Sequence, residues 1–318
     1  MQRHGGPDAH GAVPWDFSTN VNAAGPCPAA LQALQAADPT RYPDPCHHAL
    51  RERLAAWHGV APARVLFAGS ASEFIQRFTA VSQRLRPGAV AVPALAYGDY
   101  ARAAAACGRA LSDAGATLRW CCEPSSPLGQ DAPPSASSFD DGVATVLDAV
   151  YAPLRLQGRG TWPADARDAA FVLHSPNKAL GLAGVRGAYA IAPAAPSWQP
   201  WCEALDAALP SWPLGAHGVA LLQAWAGEAA HAWLAATRAQ LLDWRETLRA
   251  AFAARGVETQ PSVTPFFCAR LAFDAARLRR HGVMLRDCSS FGLPGWARLN
   301  AGPPPAQAAL WQAIDAGG

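Results

Sequence analysis

From about residue 45 the chain alternates between two hydrophobic periods. In "CHHALRERLAAWHG" apolar residues recur at helical spacing, whereas "ARVLFAG" is a short continuous apolar run of strand length. The same alternation continues through "EFIQRFTAVSQRL" (helix), "GAVAVPA" (strand), "YARAAAACGRAL" (helix) and "ATLRWCC" (strand). "GVATVLDAVY", "AAFVLHS" and "GAYAIAP" then predict three more strands. Strands alternating with helices predict βαβ units and a mostly parallel central sheet, an α/β fold. Ligands of such sheets bind at the carboxyl ends of the strands. The polar residues Gly69–Ser70, Asp148 with Tyr151, and Ser175 to Lys178 fall at those ends.

After "PSWPLGAHG" the pattern predicts one long helical tract from about Ala216 to Ala254. Short strands in "FFCARLAF", "GVMLRDC" and "WARLNAG" follow, with two further helices. This second signature is α+β. The expected organisation is a large α/β domain over 36–215, and a smaller α+β domain from 216–318 joined by an N-terminal arm, 1–35. "QDAPPSASSFDD" reads as a surface loop, and no internal repeat is present.

Composition narrows the functional classes. Of the 318 residues 51% are hydrophobic and 16% charged, so a sizeable core is expected rather than disorder. A net charge of +2, with arginines dispersed among acids, gives no footprint for nucleic acid. No apolar stretch approaches membrane-spanning length, and "MQRHGGPDAHGAVPWDF" lacks an apolar signal core, so the expected location is the cytoplasm. The eight cysteines are scattered without a zinc-like spacing, and are expected to be reduced, with no metal site.

One residue changes this picture. Of the 26 basic side chains counted as Lys+Arg, Lys178 is the single lysine, so the other 25 are arginine. Arginine serves for charge and salt bridges, but it does not lose its proton and attack a carbonyl. Lys178 is therefore either a leftover surface residue or a Schiff-base amine. A Schiff base with pyridoxal 5'-phosphate needs an acid at the pyridine nitrogen, donors to the phenolic oxygen, a stacking aromatic and a phosphate cradle. Asp148 closes a strand thirty residues before Lys178, although such an acid is also an ordinary turn residue. Gly69, Ser70, Ala71 and Ser72 open a helix with free amides that suit phosphate, or else Ser70 is simply an N-cap. Ser175 and Arg186 add a hydroxyl and a guanidinium nearby.

These residues carry a resemblance. "HSPNKALGLAGVRGAY" resembles the lysine segment of the fold-type I PLP enzymes, the class I/II aminotransferase superfamily, and "DAVY" resembles its Asp-x-x-Tyr motif. "RYPDPCHHALRERLAAWHGV", "PALAYGDY" and "WARLNAG" are similar to segments of the histidinol-phosphate aminotransferase branch. The resemblance implies that Tyr151 donates to the phenolic oxygen and that Tyr97 stacks on the ring. It implies that Arg298 grips a substrate carboxylate, and that Tyr42 reaches the phosphate site of a second subunit, making a homodimer. Within the branch, "HGG", "DFSTNVNAAGP" and "GVMLRDCSSFGLPGWARL" resemble the threonine-phosphate decarboxylases of cobalamin assembly. That resemblance implies decarboxylation of L-threonine O-3-phosphate to (R)-1-amino-2-propanol O-2-phosphate, with Arg286, His4 and Asn22 joining Arg298 at the substrate.

The sequence also departs from the family pattern. Ser126, in "EPSSPLG", stands where an asparagine usually bonds the phenolic oxygen, His174 replaces an arginine, and Asn177 precedes the lysine. Three readings follow: the decarboxylase, an aminotransferase of the histidinol-phosphate type, and a non-catalytic descendant of the fold.

Overall fold

The computed structural model describes residues 4–139 and 142–316. After β1 (Trp15–Asp16), α1 (Pro28–Gln35) and α2 (His48–His58), the chain enters its main sheet with β2 (Val65–Ala68) and α3 (Ala71–Leu85). It continues through β3 (Ala89–Ala91), α4 (Gly98–Ala106), β4 (Ala116–Cys122), β5 (Ala144–Asp148) and α5 (Ala164–Asp168). Next come β6 (Phe171–His174), β7 (Ala188–Ile191), α6 (Gln199–Ala207), α7 (Ala216–Trp225) and α8 (Glu228–Ala254). The last part holds β8 (Phe266–Ala269), α9 (Ala275–Arg280), β9 (Val283–Met284), β10 (Arg286–Asp287), β11 (Ala297–Asn300) and α10 (Pro304–Asp315).

The six expected strands form one sheet in the order β2-β7-β6-β5-β4-β3. β3 to β6 are parallel neighbours, and β7 runs antiparallel to both β6 and β2. The reversal follows from the connection. Residues 175–187 carry no helix, so they turn the chain back instead of crossing over. β2, β5, β6 and β7 are buried along their whole length, which explains their continuous apolar sequences. Leu66, Phe74, Phe78, Tyr100 and Trp120 fill one side of the sheet. Val65, Phe67, Tyr189 and Ile191 fill the other, where α1 and α7 contribute Ala30, Leu34, Leu221 and Trp225 to the same cluster.

The smaller sheet has the order β10-β11-β8, antiparallel throughout, and β1 pairs with β9 in parallel. Phe17, Leu248, Phe252, Phe267, Leu299 and Leu310 form its core. Three local expectations change. The tract from 216 to 254 is two helices, because the chain is extended at Gly227, which opens α8. The helix predicted through residue 111 ends at Ala106, and Gly108 at φ +66 turns the chain so that Ala110 accepts from Val90. "GVMLRDC" is divided at Leu285 between β9 and β10. Among the described residues no helix is long and apolar enough to cross a membrane.

Candidate active site

A cavity of about 270 Å³ opens at the carboxyl ends of the central strands. β5 delivers Asp148 to its floor and the turn after β6 delivers Lys178. Asp148 is buried, with one carboxylate oxygen accepting from the Tyr100 hydroxyl (2.6 Å) and the other from the Val150 amide (3.0 Å). Burial raises its pKa, while Tyr100, the Val150 amide and the charge of Lys178 pull the other way. A carboxylate in this setting is stabilised by a cationic N–H facing it across the cavity. The Lys178 amine lies 5.2 Å from the centre of the Tyr151 ring.

At another edge Ala71 and Ser72, in the first turn of α3, line the cavity. The Ser70 hydroxyl does not: it accepts from the Glu73 amide (3.1 Å), while Glu73 accepts from the Gly69 amide (3.1 Å). The Ser70 side chain thus caps the helix, while the small residues beyond it face the cavity. Tyr97 lines the cavity beside them, its hydroxyl 3.1 Å from Ser72 Oγ, and burial pushes its phenol above the usual range. Arg186 also lines the cavity, is exposed, and has no hydrogen bond or ion pair with another described residue. An unpartnered guanidinium beside a helix N-terminus suits a phosphate. Ser175 and Ser126 are buried at the wall, and Ser175 donates to Asn177 Oδ1 (3.1 Å).

The smaller sheet closes the opposite side. Arg286 and Arg298 are paired in register across β10 and β11, so both guanidiniums project from one face. They lie 5.0 and 5.8 Å from the Phe291 ring centre. Arg298 donates to the Ser18 carbonyl (2.9 Å), and Arg286 donates to Ser290 Oγ (2.7 Å) and the Asp287 carbonyl (3.0 Å). The N-terminal segment completes the rim with His4, Gly5 and Ser18 to Asn20. Gly5 needs to be glycine: a Cβ there would stand 2.2 Å from the Ser18 carbonyl oxygen.

Most of the predicted site residues thus meet at one cavity, whereas Gly69, Ser70, Asn22 and Tyr42 do not line it. The Asn22 side chain donates to Thr237 Oγ1 (3.2 Å) and accepts from the Ala24 amide (3.0 Å), while its backbone amide donates to the Lys178 carbonyl (2.9 Å). It ties the arm to the lysine turn instead of facing the cavity. Tyr42 is 77% exposed, stacks on Trp212 at 4.3 Å and does not line this cavity. His174 packs on Tyr189 at 5.0 Å behind the cavity, and burial holds its imidazole well below the usual range, so it is neutral.

Sequence reasoning missed Asn20 and Tyr100. Asn20 is buried at the cavity, its amide donating to the Tyr151 hydroxyl at 3.4 Å. Tyr100 holds Asp148 and stacks on Trp120 at 5.0 Å. The available signals were slight: Tyr100 lies one helical turn beyond Tyr97, and Asn20 lies two residues before Asn22.

The sequence matches the aminotransferase class I and II family over residues 14–116 and 110–315. This chain belongs to that family, and its architecture is the fold-type I α/β fold. A histidinol-phosphate aminotransferase 2 of Burkholderia mallei is 30% identical over 320 residues, which cover 89% of this chain and 85% of that protein. The structure of histidinol-phosphate aminotransferase from Sinorhizobium meliloti in complex with pyridoxal-5'-phosphate superposes with a TM-score of 0.77 at 21% identity, covering 97% of this chain and 93% of that one. That of L-threonine-O-3-phosphate decarboxylase from Porphyromonas gingivalis also gives 0.77, at 19% identity, covering 94% and 98%. At these identities the two structures share the fold with this chain.

Proposed function

We propose that this chain is a pyridoxal 5'-phosphate enzyme acting at the Cα of a phosphorylated amino compound. The observation that carries the proposal is the convergence of the single lysine, a buried carboxylate of raised pKa and an unpartnered arginine on one cavity. Lys178 would hold the cofactor through its amine and Asp148 would face the pyridine N–H. Arg186, Ser175 and the first turn of α3 would take the phosphate, with Tyr97 against the ring. Tyr151 and Ser126, which line the same cavity, would face the phenolic oxygen. When bound, the cofactor supplies an electron sink for the pair released at Cα.

The protein's own groups do the rest. Asp148 keeps a positive charge on its neighbour because its burial makes an uncompensated carboxylate costly. Lys178 is the amine positioned to carry a proton to or from Cα. Arg286 and Arg298 orient the substrate by its anionic groups, and orientation decides which Cα bond breaks. His4 lies on the same rim, and a homodimer would bring the exposed Tyr42 to a second site.

Two reactions satisfy this arrangement. The name borne by the 30% identical relative favours amino transfer of the histidinol-phosphate type. The second reading is decarboxylation of L-threonine O-3-phosphate in cobalamin assembly. The side-by-side cations Arg286 and Arg298, with His4 and Gly5 on the rim, favour it because that substrate carries both a phosphate and a carboxylate. Incubation with L-threonine O-3-phosphate and no keto acid tests this reading. Catalytic CO2 release with aminopropanol phosphate supports decarboxylation. Turnover of histidinol phosphate only with 2-oxoglutarate establishes transfer instead. If neither turns over and the cofactor still binds, both assignments fail and the non-catalytic reading stands.

A further inference from the structure

Cys268 and Cys288 lie twenty residues apart in sequence, yet their sulfurs are 3.9 Å apart, and both residues are fully buried. Both are free thiols. The small antiparallel sheet makes this pair. Cys268 on β8 is in register with Arg298 on β11, which is in register with Arg286 on β10. Cys288 follows Arg286 by two residues and extends the pairing, its amide donating to the Trp296 carbonyl at 2.9 Å. Strand alternation therefore puts both thiols on the face that carries the two substrate-side arginines.

The surroundings make the two sulfurs unequal. The contact shared with Cys268, and then the charges of Arg298 and Arg286, hold the Cys288 thiol below the usual range against burial and the charge of Asp287. Cys268 is shifted the other way, by that same contact and by burial. Cys288 feels the charges of both arginines and Cys268 that of Arg298 alone, so Cys288 is the sulfur that ionises more readily.

We propose that Cys288 and Cys268 form a peroxide-oxidised thiol pair that modulates substrate binding. The Cys288 thiolate attacks one oxygen of hydrogen peroxide, the O–O bond breaks, and a sulfenic acid forms with release of hydroxide. The Cys268 sulfur then displaces the sulfenic hydroxyl, which leaves as water with the Cys268 proton, and the S–S bond closes. Two thiols lose two electrons and the peroxide becomes two waters. Closure brings sulfurs now 3.9 Å apart to about 2.0 Å. Cys288 opens the 289–291 turn, whose Ser290 accepts from Arg286 and whose Phe291 ring lies against both guanidiniums. Oxidation therefore re-aims Arg286 and loosens the grip on the substrate, leaving Lys178 and Asp148 in place.

The test uses the cofactor-loaded enzyme treated with hydrogen peroxide, blocked with iodoacetamide and mapped by mass spectrometry without reduction. We expect a Cys268–Cys288 linked peptide, a KM raised about tenfold with kcat little changed, and reversal by dithiothreitol. Cys268→Ala should keep the untreated activity, form no link, and accumulate a dimedone-reactive sulfenic acid at Cys288. If Cys268 and Cys288 emerge as alkylated free thiols while exposed Cys46 is oxidised, the pair is only packing and the proposal is overturned. A link that forms with KM unchanged overturns its control of binding. The KM readout rests on the function proposed above, using whichever substrate turns over, whereas the linked peptide is independent of it.

Discussion

The two walls of the cavity are built on different foundations. Asp148 and Lys178 stand at the ends of β5 and β6, inner strands of a six-stranded sheet that are buried along their whole length. Arg286 and Arg298 stand on strands of two and four residues, and His4 and Asn20 on a segment outside regular strands. The first wall is fixed by backbone pairing. The second rests on short paired strands and on side chains that tie them to the N-terminal segment: Arg298 to the Ser18 carbonyl and Asn300 to the Val21 carbonyl (2.7 Å). On the function proposed above, the first wall would carry the cofactor and the second the substrate.

Substitutions on the two walls should therefore fail differently. Lys178→Ala or Lys178→Arg should give the largest loss, at least about 10³-fold in kcat, because no other amine-bearing side chain exists to replace it. Absorbance of the variant with added cofactor checks the cause, since neither substitution leaves an amine for covalent attachment. Activity near wild type would remove the central assumption about this wall.

Asp148→Asn comes next, with about 10²-fold lower kcat expected. It has an opposite effect on the cofactor-free protein. Burial raises the Asp148 pKa, so the folded chain binds this proton more tightly than the unfolded chain, and stability is lost as pH rises through the folded pKa. The uncharged variant escapes that loss. Its cofactor-free form should melt higher than wild type at about pH 7.5, on the order of 2 °C, with the gap closing below about pH 4. Thermal scans at the two pH values check the sign, and a lower melting temperature for the variant at neutral pH would contradict the burial argument.

The same contrast governs how much of the molecule was readable in its sequence. Four of the six main strands were legible as apolar runs because burial on both faces demands that pattern, while β3 and β4 are only partly buried. The polar residues ending those runs fell near one another, as strand ends of a parallel sheet must. The break at Gly227 was not legible, because a glycine inside a helical pattern usually costs little more than some stability. Asn20 and Asn22 occupy one short polar stretch, and the long-range bond from the Asn22 side chain to Thr237 is what holds it off the cavity that Asn20 lines. Tyr100 and Asp148 meet through packing of α4 beneath the sheet, and Cys268 and Cys288 through antiparallel register. Those contacts are long-range, and no local period encodes them.

On the substrate wall, Arg298→Lys should raise KM about 10- to 100-fold with a smaller effect on kcat. The lysine keeps a charge but loses the planar fork that both holds the Ser18 carbonyl and faces the cavity. Steady-state kinetics separate the two terms, and a loss confined to kcat would move Arg298 to the chemical wall.

The smallest effect should come from Asn20, the residue that joins the walls. Its amide donates to the Tyr151 hydroxyl at 3.4 Å, a long bond, while no described group pairs with its buried carbonyl oxygen. A neutral bond of that length is worth about 0.5–1 kcal/mol, so Asn20→Ala should lower kcat about 2- to 5-fold. Steady-state kinetics check this, and a variant with unchanged kcat would show that Asn20 only fills space.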